Sequence, residues 1–220
     1  MNDQIIIDGA VIESLKPIKK SFKNKNNKFS AQGYYKNKRV KIYEVFDKKQ
    51  GALREFVSNH KKLSTYFPKL IAYDERFIVE EWLEGNTLME IKPNFIKKVK
   101  YFFVLKRIIK LMWSIKYDDE VFDYISHIYN RVGKTCNFDL SKIPIRINHN
   151  DLSLNNILIT PNGLKIIDNE FLGNCRGWIL NLKNSFLKEN LKGNKYLSQE
   201  EFIELWKIRE EWSSISQRFS

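Results

Sequence analysis

The stretch INHNDLSLNNILITPNGLKIIDNEF, residues 147–171, brings His149, Asp151, Asn155, Asn156, Asp168 and Glu170 around two short apolar runs. Ile157-Leu158-Ile159 and Leu164-Lys165-Ile166-Ile167 read as strands, and Pro161-Asn162-Gly163 as the turn between them. An antiparallel pair joins its outer ends. Asn156, at the entry to the first strand, and Asp168, at the end of the second, then face one cavity, with Asp151 on the loop beside them. Two oxygen ligands near a third carboxylate suit Mg²⁺, a hard cation that keeps phosphates and water as its other ligands. Asp151 can then orient an attacking hydroxyl or take its proton. A hairpin whose polar residues merely cap strand ends does not require Asp151, Asn156 and Asp168 together.

The elements that must position these residues can be read from periodicity. Residues 29–46, FSAQGYYKNKRVKIYEVF, predict two strands around a polar KNKR turn. From Lys48 to Leu63 the pattern is helical, with Leu53, Phe56, Val57 and His60 on one face, and Pro68 stops that segment. PKLIAYDERFIVEEWLEG gives two more strands around Asp74-Glu75-Arg76, broken by Gly85. A long helix is expected from Asn94 to Tyr117, its buried stripe formed by Phe95, Val99, Phe102, Phe103, Ile109, Met112 and Trp113. A second covers Asp119–Val132, and Ser198 to Glu201 is a capping box opening a last helix with Phe202, Leu205 and Trp206 inward. A β-rich first third is therefore followed by a mostly helical remainder, with a cleft expected where the two join, near Trp82–Gly85.

Composition narrows the partners. The chain has 220 residues, 43% hydrophobic and 14% aromatic, a globular balance. No apolar run approaches the roughly 20 residues that span a bilayer, and MNDQIIIDGA lacks the basic and apolar regions of a signal peptide. Cys136 and Cys175 form no CxxC pair, and reduced thiols in a cytoplasmic protein are expected. The formal charge is +12, and eleven Lys and Arg lie between Lys19 and Lys49. That favours anionic partners (a nucleotide, nucleic acid, an acidic lipid, a phosphorylated glycan) or else a solvated lysine surface in a chain rich in Asn, Ile and Lys. No helix-turn-helix, RNP or zinc pattern supports nucleic acid. RVGKT at 131–135 resembles the tail of a P-loop, but the motif needs glycine where Ile128 stands.

The spacing H-x-D-x-x-x-x-N, followed by an apolar strand and Ile-Asp, resembles the core of the protein-kinase-like superfamily. More closely it resembles the aminoglycoside phosphotransferase and choline kinase branch and the bacterial lipopolysaccharide core kinases. The resemblance is concentrated in residues 147–171, weaker over 39–90 and faint elsewhere. It implies an α+β, bilobal protein-kinase-like fold, with a small β-rich N-lobe (residues 1–84) and a mostly helical C-lobe (residues 85–220). By the same resemblance Asp151 is the catalytic carboxylate, Asn156 and Asp168 hold Mg²⁺, and His149 supports the loop. Lys41, inside the apolar strand RVKIYEV, is the lysine expected on ATP phosphates, and Glu55 on the next helix its pairing partner. The backbone of Glu81, Trp82 and Leu83 in FIVEEWLEG is expected to bind adenine.

Departures from the family pattern shape the substrate expectation. Only Gly33 stands where the nucleotide-covering loop has two or three glycines, and KNKNNKF occupies the turn. Ser153 replaces the lysine usual in protein serine kinases, and no activation loop or APE-like motif follows Asp168. Both favour a small-molecule kinase. The basic chain suits neither a cationic aminoglycoside nor choline, which need acidic or aromatic pockets. CRGWILNLKNSFLKENLK resembles the tail of lipopolysaccharide core kinases. The expectation is ATP-dependent phosphorylation of an anionic glycan or glycolipid, most simply a cell-envelope core sugar, by a cytoplasmic protein with peripheral contact at the acidic inner-membrane surface. A compact protein kinase of bacterial effector type, an aminoglycoside or choline-type kinase and a nucleotide-binding pseudokinase stay open as alternatives.

Overall fold

The computed structural model describes residues 4–18, 29–176 and 196–218. Six antiparallel strands form the first sheet: β1 (Ile5–Ile7), β2 (Ala10–Pro17), β3 (Ser30–Tyr35), β4 (Lys38–Glu44), β5 (Leu70–Tyr73) and β6 (Phe77–Glu81). Their order across the sheet is β1-β2-β3-β4-β6-β5. The sheet begins earlier than expected. Asp8 and Gly9, both at positive φ (47° and 74°), turn β1 into β2 and pair Ile7 with Ala10; an Asp-Gly turn matches the twist of the strands it joins. Lys36 and Asn37 (φ 49° and 60°) do the same between β3 and β4, so Lys38 and Arg39 already belong to β4.

Side chains alternate across β4. Val40 and Ile42 enter an apolar cluster with Ile7, Ile12, Phe77 and Val79. Lys41 and Tyr43 therefore lie on the opposite face. Register pairs Lys41 with Glu80 and Tyr43 with Ile78 on β6. Helix α1 (Gln50–Asn59) follows β4 and ends well before Pro68, with His60 extended (φ −73°, ψ 116°). Its Leu53 and Val57 join the largest core.

Beyond β6 the chain runs through β7 (Asn86–Thr87) and a one-turn helix α2 (Leu88–Ile91), started by a capping box between Thr87 and Glu90. Gly85 makes this passage possible. Its φ is +154°, and a Cβ there would lie 2.4 Å from the Ile159 carbonyl oxygen. The longer helices are α3 (Phe95–Ser114), α4 (Tyr124–Val132) and α5 (Gln199–Arg218). Strands β8 (Ile145–Asn148) and β11 (Gly173–Arg176) pair with each other, and β9 (Ile157–Thr160) and β10 (Gly163–Ile166) form the hairpin, which adds β7 at its edge. Ser198 and Glu201 exchange the two hydrogen bonds of a capping box, and Phe202 and Leu205 are buried with Trp206 packed beside them.

The buried stripe of α3 differs from expectation. Leu105, Ile108 and Met112 are buried, whereas Phe95 and Phe103 are 75% and 61% exposed. Apolar residues surround this helix, so periodicity alone does not choose a face; packing against the core does. Helix α4 starts at Tyr124 rather than Asp119, because Asp123 accepts from the Ile125 and Ser126 N–H groups as its cap. Cys136 and Cys175 are free thiols. Among the described residues, no helix is long and apolar enough to cross a membrane.

Candidate active site

The hairpin joins its ends as its sequence demands. Ile157 pairs with Ile166, and the Ile167 N–H donates to the Asn156 carbonyl at 3.0 Å. Asn156 thus lies across from Ile167, one residue before Asp168. The Asn156 amide nitrogen donates to the Asp151 carbonyl (2.7 Å) and to its carboxylate (3.0 Å). With the amide N–H groups spent on Asp151, the amide oxygen is the end left to accept or to ligate. Asn156, Asp151 and Asp168 are therefore held as one unit by a local fold.

Two backbone kinks aim this unit. Asp168 adopts a left-handed conformation (φ 64°, ψ 54°), as does Asn150 (φ 63°). Non-glycine residues take this region rarely, and Asn and Asp tolerate it best. Neighbouring bonds hold both kinks. The Asn150 amide donates to the Phe171 carbonyl at 2.8 Å, and His149 Nε2–H donates to the Ile167 carbonyl at 3.0 Å. His149 is buried (2% exposed). Burial pulls its pKa down to about 4, against the pull of nearby Asp168, so the ring is neutral at pH 7 and keeps the Nε2 proton for that bond.

Lys41 reaches the hairpin from the first sheet. Its Nζ lies 2.5 Å from Asp168 Oδ1 and 3.4 Å from Glu170 Oε1. Burial alone would lower the lysine pKa; Asp168 and Glu170 outweigh it and hold the ammonium above its ordinary value. Burial would likewise raise the Asp168 pKa, and Lys41 holds it below the carboxylate range instead. The Asp168 side chain keeps 43% of its surface in solvent, which leaves it reachable.

Glu55 is not brought to Lys41. Its carboxylate accepts from the Tyr73 hydroxyl at 2.6 Å, at an exposed position. On α1, Leu53 and Val57 point into the core, and this phase turns Glu55 outward and Arg54 inward. Arg54 is fully buried and forms a 2.5 Å ion pair with the equally buried Glu80. Glu80 also accepts from the Tyr43 hydroxyl (3.1 Å) and from the amide of Asn169 (3.2 Å to each oxygen). Glu80, the cross-strand neighbour of Lys41 on β6, is thus neutralised by Arg54 from the helix, while the acids in contact with Lys41 are Asp168 and Glu170. Asn169 follows Asp168 directly, so this network ties α1, β4 and β6 to the Asp168 turn. Gln50 adds a second tie, its amide donating to the Glu170 and Leu172 carbonyls at 3.0 and 2.8 Å.

Of the three hinge residues, Trp82 has its N–H committed to the Arg39 carbonyl (3.1 Å), and the Arg39 guanidinium stacks 3.9 Å from its ring centre. The Glu81 N–H is likewise committed, to the Lys69 carbonyl at 2.9 Å. KNKNNKF (residues 23–29) lies outside the described residues except for Phe29, and CRGWILNLKNSFLKENLK (residues 175–192) except for Cys175 and Arg176. On the other side of Asp151, Arg209 of α5 places Nη2 3.6 Å from Asp151 Oδ1.

Glu80, Arg54, Asn169, Gln50 and Arg209 escape a reading of the sequence alone. The accessible signal was a glutamate inside the apolar run FIVEE, opposite a lysine inside RVKIYEV: two charges in adjacent buried strands call for one another. Among the described residues no three His, Cys, Asp or Glu side chains cluster as a metal site. The candidate donors are instead the oxygens of one amide and one carboxylate, Asn156 and Asp168. Both are hard ligands that fit Mg²⁺ when phosphates complete its shell.

No family model matches the chain, and no curated protein matches it in sequence. Solved structures do match. LicA in complex with AMP superposes with a TM-score of 0.51 at 15% identity, covering 94% of this chain and 90% of that one. A thermostable mutant of the aminoglycoside phosphotransferase APH(4)-Ia gives 0.51 at 8% identity, covering 94% of each. Choline kinase LicA from Streptococcus pneumoniae gives 0.46 at 15% identity, over 86% and 87%. The chain has the mixed α and β fold of the first two, over nearly their whole length.

Proposed function

We propose that the protein is an ATP-dependent phosphotransferase that moves the γ-phosphate to a hydroxyl of a small molecule or glycan. The observation that carries this reading is the convergence of Lys41, Asp168, Asn156 and Asp151 from two separate parts of the chain. Lys41 is partly buried beside two carboxylates, with Asp168 still reachable. It is suited to exchanging Asp168 for ATP phosphates when they arrive. In this proposal the cleft divides residues 1–84 from 85–220, with the nucleotide base against the backbone of Glu81 and Leu83. Lys41 orients the phosphates, and Asp151, itself oriented by the Asn156 amide, positions the acceptor hydroxyl and draws its proton. Asn156 and Asp168 would hold Mg²⁺, which when bound neutralises charge developing on the transferred phosphoryl group.

The acceptor is proposed to be anionic, a cell-envelope core sugar at the inner membrane. The +12 charge supports this, and so does Arg209, whose guanidinium stands 3.6 Å from Asp151 where an acceptor must approach. A cationic acceptor would meet that guanidinium at close range and be repelled. ATP consumption with Mg²⁺ against core oligosaccharides, aminoglycosides, choline and a protein mixture tests the proposal. Turnover only with the core oligosaccharides is expected; turnover only with the cationic acceptors would overturn the choice of acceptor.

A further inference from the structure

Helix α3 turns two apolar faces in different directions. Leu105, Ile108 and Met112 are buried in the core, while Phe95, Ile96 and Phe103 are 75%, 78% and 61% exposed. At the helical repeat, Phe95, Ile96 and Phe103 fall with the half-buried Val99 within about 100° of arc on the outer side. Further along, Lys106 and Lys110 occupy the same arc, both exposed. Just upstream, Met89 (49%) and Ile91 (40%) are exposed as well. Between Leu88 and Ser114 the chain carries six lysines and one arginine against a single acid, Glu90. The Glu90 carboxylate caps α2 by accepting from the Thr87 N–H at 2.8 Å.

Large apolar side chains concentrated on one exposed helix face mark a docking surface, and charge selects the occupant. A second copy would bring the same excess of positive charge against it. A protein partner is recognised mostly through arginine and aromatic groups, and lysine is depleted at such interfaces; here six of the seven cations are lysines. An anionic bilayer suits both features. Aromatic and aliphatic side chains enter the acyl boundary, and lysine stems lie along it with their ammonium groups at the headgroup phosphates.

We infer that the outer face of α3, with Met89 and Ile91, docks the protein onto an anionic phospholipid membrane. The inference deepens the proposed function, resting on an acceptor held at such a membrane, and it is tested without nucleotide or acceptor. Flotation is measured with vesicles of pure phosphatidylcholine and with vesicles in which about a third is phosphatidylglycerol. The protein is expected to float with the anionic vesicles, to do so at least about tenfold more weakly with the neutral ones, and to be released by salt. The triple variant Phe95→Ser, Ile96→Ser, Phe103→Ser should lose about tenfold or more in partition at low salt. Lys106→Gln with Lys110→Gln should lose mainly the salt-sensitive part. Circular dichroism spectra and thermal midpoints equal to those of the parent show that the variants are folded. Equal flotation of the parent and the triple variant, absence of flotation, or sedimentation as a dimer that the triple variant abolishes would each overturn the inference. ATP turnover without flotation would sink the docking face and leave the kinase proposal standing; flotation without turnover would do the reverse.

Discussion

Lys41 Nζ lies 2.5 Å from Asp168 Oδ1 across 127 residues of sequence, and 3.4 Å from Glu170. It joins the strand sheet to the catalytic hairpin of the proposal. Lys41→Met should leave the mostly buried Glu170 without its cation and cost about 1–3 kcal/mol of stability, a range kept low because Asp168 is partly solvated. Mg²⁺-ATP affinity should fall as well. Urea midpoints and calorimetry check the two effects; unchanged affinity would remove Lys41 from the nucleotide site.

The buried pair of Arg54 and Glu80 should behave differently from a surface ion pair. Glu80→Gln preserves size but leaves a fully buried guanidinium without its counter-charge, at a cost of about 3–5 kcal/mol. The thermal midpoint should drop sharply. Because Glu80 also holds Asn169, the variant should lose Mg²⁺-ATP affinity even at temperatures where it remains folded. Glu55→Gln, by contrast, should change stability by less than about 0.5 kcal/mol and leave nucleotide binding intact.

The buried neutral ring of His149 predicts an acid-side loss of stability. Its pKa is about 4 in the fold against about 6.5 when unfolded, so below pH 6.5 the unfolded chain takes up a proton that the folded chain refuses. Stability from this residue is whole above about pH 6.5 and declines as pH falls towards 4, by up to roughly 3 kcal/mol. Denaturant titrations between these limits should show the slope, and His149→Gln should flatten it. The same slope in the glutamine variant would assign it to another group.

In the proposed site metal binding should depend on nucleotide, because among the described residues it draws only on Asn156 and Asp168. Asp168→Ala should weaken Mg²⁺-ATP much more than metal-free ATP, whereas His149→Ala should chiefly loosen the loop. Calorimetry with and without Mg²⁺ separates the two, and Asp168→Ala binding Mg²⁺-ATP like the parent would mean the metal assignment is wrong.

How much of this was legible in the sequence depends on distance along the chain. Asn156 and Asp168 belong to one hairpin, so an apolar pattern and a turn are enough to bring them together. Lys41 was legible as a charge inside an apolar strand. Glu55 misled although Leu53 and Val57, legible as the inward face of α1, already fix its phase; that phase turns Glu55 outward and Arg54 inward. The Arg54–Glu80 pair spans 26 residues and two element types, and no local pattern announces such a contact. The hairpin β1–β2 was announced by Asp8-Gly9 between apolar runs, a signal the reading of the sequence passed over. Arg209 meets Asp151 only because the chain folds back after α4 and packs α5 against it, and that is a property of tertiary packing.

The most direct test of the central claim is the transfer of γ-phosphate from ATP to the acceptor in the presence of Mg²⁺, by the parent protein and by Asp151→Asn. The substitution keeps the shape of the side chain and removes the carboxylate that would draw the hydroxyl proton. The account predicts a rate about 10²–10⁴-fold lower in the variant, with ATP affinity nearly unchanged. Equal rates in the two proteins, or Mg²⁺-ATP binding by the parent with no transfer to any acceptor, would contradict it.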